Sequence, residues 1–92
     1  MTKIFVYGTL LDSEIRKAVY GRAGELREKT LSDYRKEGLN ITEEEGDEVR
    51  GGIIEVDDRE LEYLNNYEGL GRLYKIINVS PEGEEVIAYQ RI

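Results

Sequence analysis

The sequence contains no cysteine, no histidine and no tryptophan, and a single proline and a single methionine. Lack of cysteine removes disulfides, iron–sulfur clusters and thiol nucleophiles together. With imidazole missing as well, neither a Cys/His zinc site nor a Ser–His pair for acyl transfer can be built. Positive charge is also short: 13 Lys and Arg face 20 Asp and Glu, a net charge of −7. Affinity for nucleic acid comes from cations that neutralise phosphates, so no nucleic-acid partner is expected. No apolar run approaches the roughly 20 residues that span a bilayer, so no membrane partner is expected either. The opening residues, Lys3-Ile4-Phe5-Val6-Tyr7, carry neither the long apolar region nor the small-residue cleavage site of a signal peptide. A soluble cytoplasmic protein is the expectation.

What the chain does contain suits one folded unit over residues 1–92. A chain this short buries about 60–65% of its unfolded surface, so the core is modest. Ile, Val, Leu and seven tyrosines are spread along the whole length, and no segment is polar enough to read as a disordered tail. Charged residues make up 36% of the chain with both signs interleaved, which predicts a solvated, ion-paired surface.

Residues 3–7 are apolar on both faces, as in a strand buried on two sides, and the run ends at Gly8. Asp12 or Ser13 can cap a short helix that carries Ile15, Ala18 and Val19 at helical spacing and stops at Gly21. Leu26, Leu31 and Tyr34 between Gly24 and Leu39 favour one or two strands, although the charges among them also permit a helix. Glu43 to Glu48 reads as an acidic turn, and Val49 to Val56 as a strand with a bulge or a close backbone approach at Gly51-Gly52. Asp57 with Glu60 three residues on forms a capping box, opening a helix with Leu61, Leu64, Tyr63 and Tyr67 that Gly69 ends. Leu73–Val79 and Val86–Ile92 are two strands joined by a hairpin at Ser80–Glu84, where Pro and Gly take turn positions. The fold class is α+β.

Two places can carry chemistry. At Val6-Tyr7-Gly8-Thr9-Leu10 a strand passes through glycine into a helix start, and successive backbone N–H groups in such a turn can hold an anion or an oxyanion. The same arrangement serves many folds as a plain turn. At Tyr67-Glu68-Gly69 a carboxylate ends a helix, where the partial negative charge of the helix dipole disfavours ionisation and neighbouring tyrosines would desolvate it. Both effects raise a pKa, as a general base working near neutrality requires, whereas most glutamates are simply solvated. Glu43–Glu48 lacks the alternating ligands of a calcium loop, and no metal site is expected.

Taken together, these segments resemble the γ-glutamylcyclotransferase-like family, which includes γ-glutamylamine cyclotransferases and the AIG-type proteins. The resemblance rests on Val6-Tyr7-Gly8-Thr9-Leu10, Val49-Arg50-Gly51 with Ile53–Val56, Leu64-Asn65-Asn66-Tyr67-Glu68-Gly69, and Tyr74 with Val79, in that order over nearly the whole chain. It implies a small mixed β-barrel with flanking helices and a pocket between the Tyr-Gly-Thr-Leu loop and the glutamate. It further implies Glu68 as the catalytic acid/base, with Tyr7, Gly8, Thr9, Leu10 and Tyr74 around the substrate. The activity implied is cyclisation of a γ-glutamyl amine or peptide to 5-oxoproline, without metal or cofactor, in a monomer or weak homodimer. Leu11 and Ile76 stand where members commonly carry Arg or Lys. The alternative is a non-catalytic module that uses the same pocket to bind a small molecule or partner.

Overall fold

A computed structural model describes residues 1–92. Five strands and two helices follow one another along the chain: β1 Thr2–Val6, α1 Ser13–Tyr20, β2 Arg27–Glu37, β3 Asn40–Val56, α2 Asp58–Glu68, β4 Tyr74–Asn78 and β5 Ile87–Arg91. The strands form one sheet in the order β2-β3-β1-β5-β4. It is mixed, because β1 runs parallel to β5 while every other pair is antiparallel. The α+β class is as expected.

The alternation of β1 decides which side chains meet which layer. Ile4 and Val6 face the two helices, in a cluster with Leu10, Tyr20, Ile54, Val56, Leu64 and Tyr89. Phe5 and Tyr7 face the opposite side, in a second cluster with Leu31, Ile41, Val49, Ile53, Val86 and Ala88. The strand is therefore buried on both faces. The sheet curls around the second cluster until the tip of the β2–β3 hairpin returns to the β4–β5 hairpin. Side chains fasten this seam: Gln90 Nε2 donates to Ile41 O at 2.9 Å, Arg91 N to Asn40 Oδ1 at 2.8 Å, and Tyr74 Oη to Leu39 O at 2.7 Å.

The caps follow the sequence. Asp12, rather than Ser13, opens α1 by accepting from Glu14 N at 2.8 Å, and Gly21 closes it at φ 90°. In α2 the capping box is complete: Glu60 N donates to Asp57 Oδ1 at 2.8 Å and Asp57 N to Glu60 Oε1 at 3.0 Å. Arg22 adds a two-pronged ion pair to Glu60, joining the two helix ends. Gly51 is a close approach and not a bulge. A Cβ there would lie 2.3 Å from Val6 O and 2.8 Å from the Phe5 ring.

Two expectations change. Ala18 is exposed, and the inward face of α1 runs through Ile15, Arg16, Val19 and Tyr20 instead. Glu43–Glu48 is not the turn between strands. It lies inside β3, where the register slips from Ser32↔Glu48 to Tyr34↔Glu43 and Gly46, at φ 87°, donates to Asp33 Oδ1 at 3.1 Å. This stretch is exposed throughout, so its carboxylates lose no hydration by staying in a strand. The true turn is Gly38-Leu39, with Gly38 at φ 59° in the first loop position of a two-residue hairpin.

Candidate active site

The carboxyl end of β1, the C-terminus of α2 and the tip of the β2–β3 hairpin converge on a cavity of about 330 Å³. Buried side chains of Phe5, Val6, Tyr7, Leu10 and Tyr89 line it, together with Gly8, Thr9 and Tyr74. Glu68 enters from the last residue of α2, and Leu39, Tyr67 and Leu73 surround the mouth. The cavity is mostly apolar with a few convergent polar groups, which is the composition of a small-molecule site.

The loop that leaves β1 owes its shape to a short 3₁₀ turn over Thr9–Leu11 and to a buried cation behind it. Leu11 N donates to Gly8 O and Asp12 N to Thr9 O, both at 3.1 Å, so the opening N–H groups of the turn keep no partner within it. Arg16, only 5% exposed, donates to Leu10 O at 2.9 Å, Leu11 O at 3.0 Å and Ala23 O at 2.7 Å. Three backbone carbonyls thus satisfy a guanidinium that has no carboxylate partner. A Cβ on Gly8 would meet nothing closer than Leu39 Cδ2 at 4.0 Å. That position therefore opens onto space and not onto packed protein.

The tyrosine hydroxyls are committed. Tyr7 Oη donates to Tyr89 O, Tyr89 Oη to Asn65 Oδ1 at 2.6 Å, and Tyr74 Oη to Leu39 O at 2.7 Å. Tyr67 Oη and Thr9 Oγ1 share a bond of 2.9 Å. These bonds tie the end of α2 to β5 and to the loop after β1, so they fix where Glu68 sits. Burial, followed by the charges of Tyr74 and Glu68, raises the Tyr7 pKa; burial and then Glu68 raise that of Tyr89. Tyr74 is raised by burial first and Glu68 second. All three stay neutral across the physiological range.

Glu68 is different. Burial alone raises its pKa, no ion pair reaches it, and no basic residue occupies the last turn of α2. It is the only Asp, Glu, Lys or Arg in the cavity lining. What the site offers is one carboxylate able to exchange a proton, neutral tyrosines and a backbone turn.

The profile of the family described as gamma-glutamyl cyclotransferase, AIG2-like, matches residues 4–90. The chain belongs to that family. That family includes cyclotransferase enzymes. Solved structures agree on the fold. An Arabidopsis thaliana protein is 28% identical with a TM-score of 0.79, over 99% of this chain and 68% of its own. A structure titled gamma-glutamyl cyclotransferase is 19% identical with a TM-score of 0.80, over 99% of this chain and 66% of its own. An uncharacterised Pyrococcus horikoshii protein is 21% identical with a TM-score of 0.75, covering 99% and 78%. This chain thus spans about two-thirds to four-fifths of the length of these relatives. None of the curated proteins matches the sequence. No helix is long and apolar enough to cross a membrane.

The structure brings Glu68, Tyr7, Gly8, Thr9, Leu10 and Tyr74 into one cavity. Leu11 and Ile76, the family departures, lie outside its lining. Sequence reasoning missed Leu39, Leu73 and Tyr89 as lining residues and Arg16 behind the loop. Leu39 could have been suspected, because a leucine in the tip of a Gly-Leu hairpin loop is poorly placed for burial in a core of its own. Arg16 gave no signal, since an arginine on a charged helix reads as surface.

Proposed function

We propose that this chain is a γ-glutamyl cyclotransferase with Glu68 as its general acid and base. The observation that supports this most directly is that Glu68 is the only Asp, Glu, Lys or Arg of a cavity in which the Tyr7, Tyr74 and Tyr89 hydroxyls already donate to protein oxygens. A carboxyl group raised by burial is suited to taking a proton near neutrality and returning it.

The substrate carries a γ-glutamyl group bonded through its side-chain carbonyl to an amine. Its α-ammonium pairs with Glu68 and gives up a proton to it. The freed nitrogen lone pair attacks the γ-carbonyl carbon and closes a five-membered ring, and the carbonyl oxygen becomes an oxyanion. Unpaired N–H groups of the Gly8–Leu10 turn would hold the α-carboxylate or that oxyanion. The tetrahedral centre then collapses, the bond to the amine breaks, and protonated Glu68 donates its proton to the departing nitrogen. The second proton lost by the ring nitrogen passes over the restored carboxylate to the amine, which leaves as an ammonium. Products are 5-oxoproline and a free amine, and the carboxylate is restored. Because nucleophile and electrophile belong to one molecule, effective molarities of about 10⁵–10⁸ M come from holding it folded. No metal or cofactor enters this scheme.

The test is release of 5-oxoproline from a panel of γ-glutamyl amines and dipeptides by the wild-type protein and by Glu68→Gln. Turnover in the wild type and a loss of about 10²–10⁴-fold in the variant is the expected result. Equal turnover in both proteins would sink the mechanism. Tight binding of the panel by wild type without ring closure would assign the cavity to a non-catalytic binding module.

A further inference from the structure

Three buried or half-buried tyrosine hydroxyls share the cavity with Glu68, and none of them donates to it. Tyr7 donates to Tyr89 O and Tyr74 to Leu39 O, so two of the three end on backbone carbonyls. The third ends on a side chain: Tyr89 Oη donates to Asn65 Oδ1 at 2.6 Å. Tyr67, next to Glu68 in the chain, shares its hydroxyl with Thr9 Oγ1 at 2.9 Å. Arg91, at the end of β5, bears on Tyr74 but makes no ion pair with Glu68. The carboxyl group is thus left without a donor or a cation, and its surroundings act on it through burial.

Asn65 stands three residues before Glu68 on α2, which puts the two on one face of the helix. Helical side chains lean toward the N-terminus, and this directs the Glu68 carboxyl over the turn that carries Asn65. The backbone carbonyl of Asn65 accepts from Leu70 N at 2.9 Å, so the residue is anchored where the helix ends. Tyr89 is 3% exposed and feels the charge of Glu68. A buried hydroxyl keeps a partner wherever one is within reach, because an orphaned donor costs more than a hydrogen bond returns. Take the acceptor away from position 65, and Glu68 is the only carboxylate among the cavity residues that can receive the Tyr89 proton. A donor placed on a carboxylate favours its ionised form and weakens it as a base. It also occupies an oxygen that the substrate ammonium needs.

Resting on the proposed cyclotransferase reading, we infer that Asn65 is a positioning residue of the site. It accepts the Tyr89 proton and so keeps that hydroxyl off Glu68, whose carboxylate is left free for the substrate ammonium. Aspartate could take the same proton, whereas leucine, of similar size, offers no acceptor. Position 65 therefore requires an acceptor, not merely a side chain of this size. The other two tyrosines need no such residue, because the carbonyls that hold them belong to the backbone.

The experiment follows the Glu68 carboxyl by carbon-13 NMR in protein labelled at glutamate Cδ, with Glu68→Gln to assign its resonance. Over the same pH range, kcat/KM is measured for γ-glutamyl-n-butylamide and γ-glutamylalanine. Asn65→Leu is expected to move the Glu68 titration, and the acid limb of kcat/KM with it, about one pH unit lower. Asn65→Asp keeps the acceptor and adds a like charge, so both should move higher. Tyr89→Phe removes the donor, and in that background Asn65→Leu should shift nothing. A residue that only supports the helix would not show this dependence on the Tyr89 hydroxyl. Circular dichroism verifies folding, and Asn65→Ala takes the place of Asn65→Leu if the larger side chain does not fit. An unshifted titration on loss of the acceptor, or a shift that survives in Tyr89→Phe, overturns the inference and leaves the cyclotransferase reading standing. If neither compound is cyclised by wild type, that reading fails, and the titration of Glu68 alone decides the role of Asn65.

Discussion

A carboxylate kept half-buried at the end of a helix should cost the fold stability whenever it is ionised. Glu68 ends α2, the last turn of that helix carries no cation, and burial raises its pKa. In the unfolded chain a glutamate titrates near 4.3. Between that pH and the raised value, the folded protein holds a proton that the unfolded chain has already released. Folding stability therefore falls as pH rises through this window and stays lower above it. Glutamine has almost the same shape and never ionises, so Glu68→Gln removes the loss. Relief of an anion at a helix C-terminus is worth about 0.3–1 kcal/mol, and relief of its desolvation adds in the same direction. For a domain of this size each kcal/mol moves Tm by about 4–8 °C, so the variant should melt about 1–8 °C higher at pH 7.5. At pH 3.5 both side chains are neutral and the difference should vanish. The assay is thermal unfolding of both proteins by circular dichroism from pH 3.5 to 7.5 at low salt. Other carboxylates titrate in both proteins and cancel in the difference. A less stable variant at pH 7.5, or an offset that ignores pH, would refute the reasoning. The expected pairing, a more stable protein that no longer turns over substrate, is one that a merely structural glutamate would not give.

Other perturbations probe the parts that hold this site. Gly8→Ala should fold, since its Cβ meets only Leu39 Cδ2 at 4.0 Å, yet it places a methyl group in the cavity; KM should rise about tenfold with unfolding altered by about 1 kcal/mol. Gly51→Ala should cost about 3 kcal/mol in urea unfolding, because the new Cβ would stand 2.3 Å from Val6 O with backbone on one side and the Phe5 ring on the other. Glu84 is held at a pKa of about 2 by Arg27 first and Lys3 second. Its contribution to stability is present above the unfolded value near 4.3 and is lost as pH falls toward 2. Glu84→Gln should flatten the acid limb of the stability curve in that window, and a limb of unchanged steepness would show that this ion pair does not matter.

Much of the fold was legible because its signals are local. The Asp57–Glu60 box, the glycines after each helix and the Pro-Gly turn between β4 and β5 each act within a few residues, so they can be read in sequence order. The long β2–β3 hairpin was less legible for a physical reason. Six residues from Glu43 to Glu48, five of them acidic, resemble a turn because strands normally need a buried face, yet this stretch has none. Pairing with β2 and the Asp33–Gly46 bond carry it through as a strand, and both partners are distant in sequence. Ala18 and Arg16 were exchanged on α1 for a similar reason. A guanidinium surrounded by three backbone carbonyls behaves as a buried group, but no side-chain pattern announces carbonyls.

The candidate site divides along the same line. Tyr7, Gly8, Thr9, Leu10 and Glu68 could be singled out because a turn after a strand and a carboxylate at a helix end each have a chemical reading, weak alone and joined by the resemblance to one family. Leu39 and Leu73 have none until the sheet curls and the Tyr74 hydroxyl pins the hairpin tip across the opening. A leucine in isolation signals only burial, and these two are mostly exposed. It follows that the part of a site that performs a reaction can be read from residue chemistry, whereas the part that chooses among substrates depends on which unrelated segments the fold brings to one rim. For this chain, the carboxylate at the helix end and the turn after β1 are the readable half. The rim rests on a hairpin tip and a helix exit that share no sequence signal.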